Sequence, residues 1–416
     1  MFHAKGRFAA VATVSAMALS TFVAVMPAEA AVKTIIVWAD EKRGPQLQSL
    51  LLGKTPVPGY KVKVRAFSSF DALAAAWTAS TAATGPDIVI GSGAWAVAGG
   101  KSGKMAVLTY TAKAKAGFSK AAVGGVSYKG KAYGVPIDVD TTAFMVNTGL
   151  AGAAAAAKNL PAMVAWFKAN KVSKGLTGGF CSSTGDWGSQ PIWTGFGGGA
   201  WKYTAGGAPI PGQTSFNSST FKTNVNKYLK DGPTGDSDFF KFGGCFDDVK
   251  AGKIAFAGVG AWNTGDLKSA NVKYTLGAFP GMTNTTKAAQ WVNYSGAFLT
   301  SFANRHSVAT GAKSFLMNYI ASATVQAQLA IVSGRPPANT AAAKSVSDPQ
   351  VKAIAKAAQT GIPQIGSMLD NNTAGANWYA LIGDVYSKIW NDGDNVSDTL
   401  DAAAAKMVQN FNAGKP

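Results

Sequence analysis

Two carboxylates one residue apart, Asp138-Val139-Asp140, follow Pro136 in an extended stretch. Side chains alternate along extended backbone, so the two share a face. Paired there, they could chelate neighbouring hydroxyls or act as an acid/base couple; a structural turn is the other reading. A second group, Asp40, Glu41, Lys42 and Arg43, sits directly after the β-branched run "TIIVW". Carboxylates accept from hydroxyls and a guanidinium donates to them, in charge-assisted bonds of the strong kind. A solvated charged loop is the alternative reading of this group. A third set is aromatic. Trp262 follows Gly260-Ala261 at a turn, outside any amphipathic stripe, and Trp187 stands beside Asp186 in "STGDWGSQP". Trp378 also opens an apolar helical stripe and could be core, whereas Tyr379 lies about 100° round that helix. In "TGPDIVIGSGAW", bare backbone after Ile90 leaves Trp95 as a wall that a ligand could approach. Flat apolar faces of pyranose rings suit such rings, with carboxylates holding the hydroxyl rim.

Other chemistries are poorly supplied. The 416 residues hold two histidines, His3 and His306, so histidine-built zinc sites and Ser-His-Asp hydrolysis have little to work with. A glycosidase needs carboxyls on opposite sides of the scissile bond, roughly 5–9.5 Å apart, whereas Asp138 and Asp140 share a side. No cofactor or metal is expected. The formal charge is +18, yet charged residues are 14% of the chain and the lysines are scattered, which speaks against nucleic acid. Scarce carboxylates would suit an acidic exterior or an anionic cell surface.

Lys5 and Arg7 precede the apolar run "FAAVATVSAMALSTFVAVMP", which ends in Ala28-Glu29-Ala30. That is the pattern of a secretory leader over residues 1–30, cut before Ala31, with a membrane anchor as the alternative. No cysteine lies near the cut for lipid attachment. The expected product is exported, to periplasm or cell exterior, where Cys181 and Cys245 would pair as a disulfide.

The elements that must position these residues read as strand, helix, strand, helix, strand. "VKTIIVWAD" and "YKVKVRAF" are strands, with Leu47, Leu50 and Leu51 at helical spacing between them. Phe70, Leu73, Ala74 and Trp77 mark the next helix, before the strand at Ile88–Ile90. This is an α/β pattern with right-handed crossovers. Beyond it come a hairpin turning at Gly130, a proline-marked bend, and the extended Asp138–Asp140 stretch. Residues 176–236 read as loop-heavy, "FDDVKAGKIAFAGVGAW" as helix, turn, strand and turn, and the last third as mostly helical.

Three stretches in order, "TGPDIVIGSGAWAVAGGKSGKMAVL", "AYGVPIDVDTTAFMVNTGL" and "GKIAFAGVGAW", resemble the extracellular solute-binding proteins of carbohydrate ABC importers, especially the maltose/maltodextrin-binding group. "SGRPPAN", "IPQIG" and "ANWYALIGDVY" continue the resemblance to the C-terminus. It implies an α/β, two-lobed periplasmic-binding-protein (Venus-flytrap) fold, with ligand in a cleft between lobes and hinge crossovers near 138–143, 288–296 and 333–340. The lobes would be 31–139 plus 292–336, and 140–291 plus 337–416. Asp140 matches the family's sugar-binding Glu, Trp262 its stacking Trp, Trp378 and Tyr379 its Trp-Tyr pair, and Asp186 and Trp187 lie near its Glu and Tyr; the family's acidic-basic pair after the first strand, shifted by one residue, selects Glu41 and Arg43. Gly93, Ala94 and Ile382 depart from it, standing where the family has His, Asp and Arg. The implied function is non-enzymatic capture of an oligosaccharide, most nearly a maltodextrin-type α-glucan, by a monomer that hands it to a membrane permease. The same fold holding another solute, such as a polyamine, is the alternative.

Overall fold

The structure, a computed structural model, describes residues 32–152, 158–182, 185–202, 204, 210, 212–230, 239–364 and 378–413. The expected leader, residues 1–30, lies outside them. Twelve strands are present among the described residues: β1 Lys33–Ala39, β2 Tyr60–Ala66, β3 Ile88–Ser92, β4 Ser127–Tyr128, β5 Lys131–Ala132, β6 Gly134–Asn147, β7 Gly178–Ser182, β8 Phe240–Phe242, β9 Ile254–Gly260, β10 Tyr274–Gly277, β11 Trp291–Leu299 and β12 Ile362–Pro363. Three helices matter for the site: α1 Arg43–Leu51, α2 Phe70–Ala79 and α3 Trp95–Ser102. The main sheet runs β2-β1-β3-β11-β6-β9-β7-β8. β1, β2 and β3 are parallel, as are β7, β8 and β9, while β11 runs antiparallel to both β3 and β6.

β6 organises the molecule. Its first half, from Gly134 to Thr141, pairs with β11; from Thr142 to Val146 it pairs with β9. A hydrophobic core forms on each side of that exchange. The first is mainly aliphatic, joining Ile35, Val37, Ile90, Val135, Leu299 and Ile320, with Trp38, Leu73 and Trp77 on the opposite sheet face. The second is dominated by rings, among them Phe144, Phe167, Phe180, Trp193, Phe221 and Phe240. The architecture is thus α/β and two-lobed. At the exchange, a third segment joins β6 and β11: Val139 N–H donates to Pro336 O at 2.8 Å, and Ala338 N–H to Ile137 O at 2.9 Å.

Local chemistry departs from expectation at two places. The bend expected at Pro136 is a continuous strand: Pro136 faces Gly296 and Asp138 faces Ser295, so Ile137 is an extra, bulged residue. A bulge tolerates a residue with no N–H, which is why the proline does not break the strand. In the stretch expected to be loop-heavy, β7 is fully buried despite the unpatterned sequence Gly-Gly-Phe-Cys-Ser. Gly179 is required there, since a Cβ would sit 2.1 Å from the Phe239 ring. Cys181 of β7 is bonded to Cys245, which precedes the helix Phe246–Lys250.

Candidate functional site

The charged residues converge beyond the carboxyl end of β1. Asp40 Oδ1 accepts from the backbone N–H of Lys42 and Arg43, at 3.0 and 2.7 Å, and so turns the chain into α1. Arg43 is thereby aimed across at β6. Its Nη1 donates to Asp40 Oδ2 at 2.6 Å, and its Nε and Nη2 grip both oxygens of Asp138 at 3.0 and 2.9 Å. Nη2 also reaches Asp140 Oδ2 at 3.0 Å and Ser295 Oγ at 2.6 Å. Ser295 donates to Asp140 in turn.

Asp40, Arg43 and Asp138 are buried, and they direct their polar atoms at one another. Glu41, by contrast, is exposed at the turn. Burial alone would raise the pKa of Asp140, but Arg43, then Arg335, then the Ser295 hydroxyl outweigh it and hold the group at about 2. The Asp40 carboxyl is likewise lowered against its burial, chiefly by Arg43. Neither is poised to give up a proton near neutral pH, as a general acid must.

Arg335 carries this cluster to the aromatic side. It lies in the segment beside β6, buried, with Nε on Asp140 Oδ1 at 2.8 Å. Its Cζ is 5.6 Å from the ring centroid of Trp262, a cation–π contact. Trp262 sits in the single turn Ala261–Asn263 after β9, and its ring is 5.8 Å from that of Trp187, tilted 56°. Trp187 Nε1 donates to Gln364 Oε1 at 3.2 Å. The fold thus links Asp40, Arg43, Asp138, Asp140, Trp262 and Trp187 in one run of contacts. Three carboxylates face two guanidiniums there, leaving one negative charge in excess.

Trp95 is placed apart from this run. It opens α3 just past β3, and its ring lies over Gly91, where a Cβ would come within 2.2 Å of it. The backbone expected to be open to ligand is therefore covered by Trp95 itself. Trp378 and Tyr379 open the helix Trp378–Tyr386, and Asp186 is the second residue of the helix Gly185–Gly195, but their side chains fall outside the described residues. Ile382 is core.

Arg335 and Gln364 were missed from sequence. Nothing local distinguishes an arginine in a helix-ending "SGRPPAN" or a glutamine in "IPQIG"; only tertiary proximity gives them a role. A cavity of about 560 Å³ lies against β11, lined by Gly93, Ala94, Asn293, Tyr294, Pro363 and Gln364 among others, and Gln364 is the residue that accepts from Trp187. Its lining draws on both faces of β11, through Tyr294 and through Asn293, which faces Asp140. Among the described residues no group of three or more acidic, His or Cys side chains could hold a metal.

The family model of bacterial extracellular solute-binding proteins matches residues 55–360, a span that includes Asp138, Asp140, Trp187, Trp262 and Arg335. The chain belongs to that family. No curated protein matches it. This solute-binding protein accordingly acts outside the cytoplasm, in the periplasm or at the cell exterior, and delivers a small-molecule ligand to an ABC transporter permease. Its family works by binding rather than by catalysis.

Proposed function

We infer that the ligand is an oligosaccharide, a maltodextrin-type α-glucan being the first candidate. It is held between a lobe of residues 31–139 plus 292–336 and a lobe of 140–291 plus 337–416. One observation carries the reading: the tilted Trp187–Trp262 pair stands beside Arg335 and the partly exposed Asp140. Aromatic faces next to fixed acceptors and donors match a molecule with apolar ring faces and a hydroxyl rim. Asp140, Trp187 and Trp262 are the residues assigned to the ligand, with Trp378, Tyr379 and Asp186 joining them on the strength of the resemblance. Asp40, Arg43 and Asp138 act behind them, as the buried frame that fixes Asp140. The single excess negative charge in that frame favours a neutral ligand over a sugar acid or phosphate. Export by a cleaved leader and a monomeric state complete the reading.

Intrinsic tryptophan fluorescence, titrated with maltose, maltotriose, trehalose, cyclodextrins, and xylo- and galacto-oligosaccharides, tests it. Saturable shifts with no product formed are expected. Silence toward every sugar together with a saturable response to spermidine would replace the saccharide by a polyamine, and turnover of a sugar by pure protein would replace binding by catalysis.

A further inference from the structure

We propose that Phe70, rather than Trp95, is the aromatic ring that meets ligand at the strand ends of the first core, with Trp95 as its backing. This deepens the saccharide reading and rests on it. Ligands of open α/β sheets bind beyond the carboxyl ends of the parallel strands. In this molecule those ends are Ala39, Ala66 and Ser92, and just past them stand Asp40 and Arg43, then Phe70, then Trp95.

Trp95 has little face left to offer. One side of its ring system is against Gly91, and Phe70 stacks on it at 5.4 Å between centroids and 27° between planes. Phe70 is the outer member of the stack: it is 36% exposed, among the few large apolar side chains so placed, while Trp95 is half-buried. The backbone that carries Phe70 is fixed. It is the first residue of α2, and Ser69 caps that helix by accepting from Ala72 N–H at 3.0 Å. An exposed ring at a capped helix start, stacked on a second ring that lies on glycine, is a preformed stacking surface. It lies on the side of the sheet opposite the Arg43 cluster: Gly91, beneath Trp95, alternates with Ile90 and Ser92, and Ser92 accepts from Asn293, which faces Asp140. A ligand long enough to run across the strand ends would then meet two aromatic surfaces, one from each core.

The test uses Phe70→Ala, Phe70→Trp and the wild-type chain. Titration with the sugars that bind wild type should show a loss of about three- to tenfold in Phe70→Ala and recovery in Phe70→Trp. Without any ligand, Phe70→Ala should shift tryptophan emission to the red as Trp95 becomes exposed, with an unchanged melting temperature. Wild-type affinity in Phe70→Ala for every sugar bound, or an unmoved emission spectrum, overturns the assignment of Phe70 alone. If no sugar titrates the wild type, the saccharide reading falls and takes this assignment with it.

Discussion

The two cores of this protein solve the same problem with different materials. The first is built by patterned strands and helices around Ile, Val, Leu and Ala, and it needs no covalent link. The second gathers Phe and Trp from segments with weak periodicity, and beside it, in a smaller cluster with Met145 and Val249, Cys181–Cys245 closes a separation of 64 residues. A short strand such as β7, with two glycines, contributes little side-chain area, so large rings from elsewhere must fill the space around it. The functional groups divide along the same line. The first core presents charge at the ends of its strands, in Asp40 and Arg43; the second presents rings, in Trp187 and Trp262. Where β6 exchanges partners, Asp140 and Arg335 join the two. Regular patterning fixes charges precisely enough to bury them, while the aromatic side offers broad faces that tolerate looser placement.

The strongest test of that division is Arg43→Met. It strands Asp40 and Asp138 in a buried cluster and leaves Asp140 to Arg335 alone, and losing one partner of a buried ion pair costs about 3–5 kcal/mol. Urea denaturation should show a loss of that size, and a loss below about 1 kcal/mol would mean that water already reaches the cluster. Second in size is Cys181→Ala with Cys245→Ala. Opening a closure of this length should cost about 2–4 kcal/mol. Native-state hydrogen exchange should rise in β7 and β9 before β1 and β3; equal acceleration in all four would erase the contrast between the cores.

Trp262→Ala comes next. It should weaken sugar binding by at least ~1 kcal/mol while leaving the melting temperature nearly unchanged. Wild-type affinity in that variant would remove Trp262 from the site.

The smallest effect is with pH. Asp140 is held at about 2 and Asp40 is also lowered, from an ordinary value of 3.8. Carboxyls depressed by folding contribute their stability above the unfolded pKa and lose it as pH falls through the folded one. His306 moves the other way. Burial lowers it, but bonds to Asp87 and to Ala82 O prevail and raise it above 6.5. Its contribution is full below 6.5 and fades as pH rises through the folded value. Melting temperature should therefore plateau between about pH 4 and 6.5 and decline on either side. His306→Gln should flatten the alkaline decline and leave the acid one; a steep wild-type loss already at pH 4–5 would show that the carboxylates are not held as described.

Much of the fold was legible because its signals are local. Alternating and continuous apolar runs announced β1, β2 and β3, the hairpin at Gly130, and β9 with its turn at Trp262. Helical spacing announced the last third as mostly helical, although the stripe from Phe315 to Val332, which reads as one helix, is broken after Ile320 and bent by 73°. Pro136 misled because a bulge is set by the register of two strands, and β11 lies more than a hundred residues away. β7 was invisible because its burial depends on rings contributed by Phe239 and its neighbours rather than on its own side chains.

The site divides in the same way. The sequence by itself determined which groups were available: carboxylates at Asp40, Asp138 and Asp140, a guanidinium at Arg43, rings at Trp187 and Trp262, and almost no histidine. Only the tertiary structure decided that Arg43 would bind the carboxylates rather than stand open, that Trp95 would be covered by Phe70, and that Arg335 would connect Asp140 to Trp262. The reason is physical. Residue type fixes what a group can donate or accept, but its partners are set by segments of chain that meet only when the sheet closes.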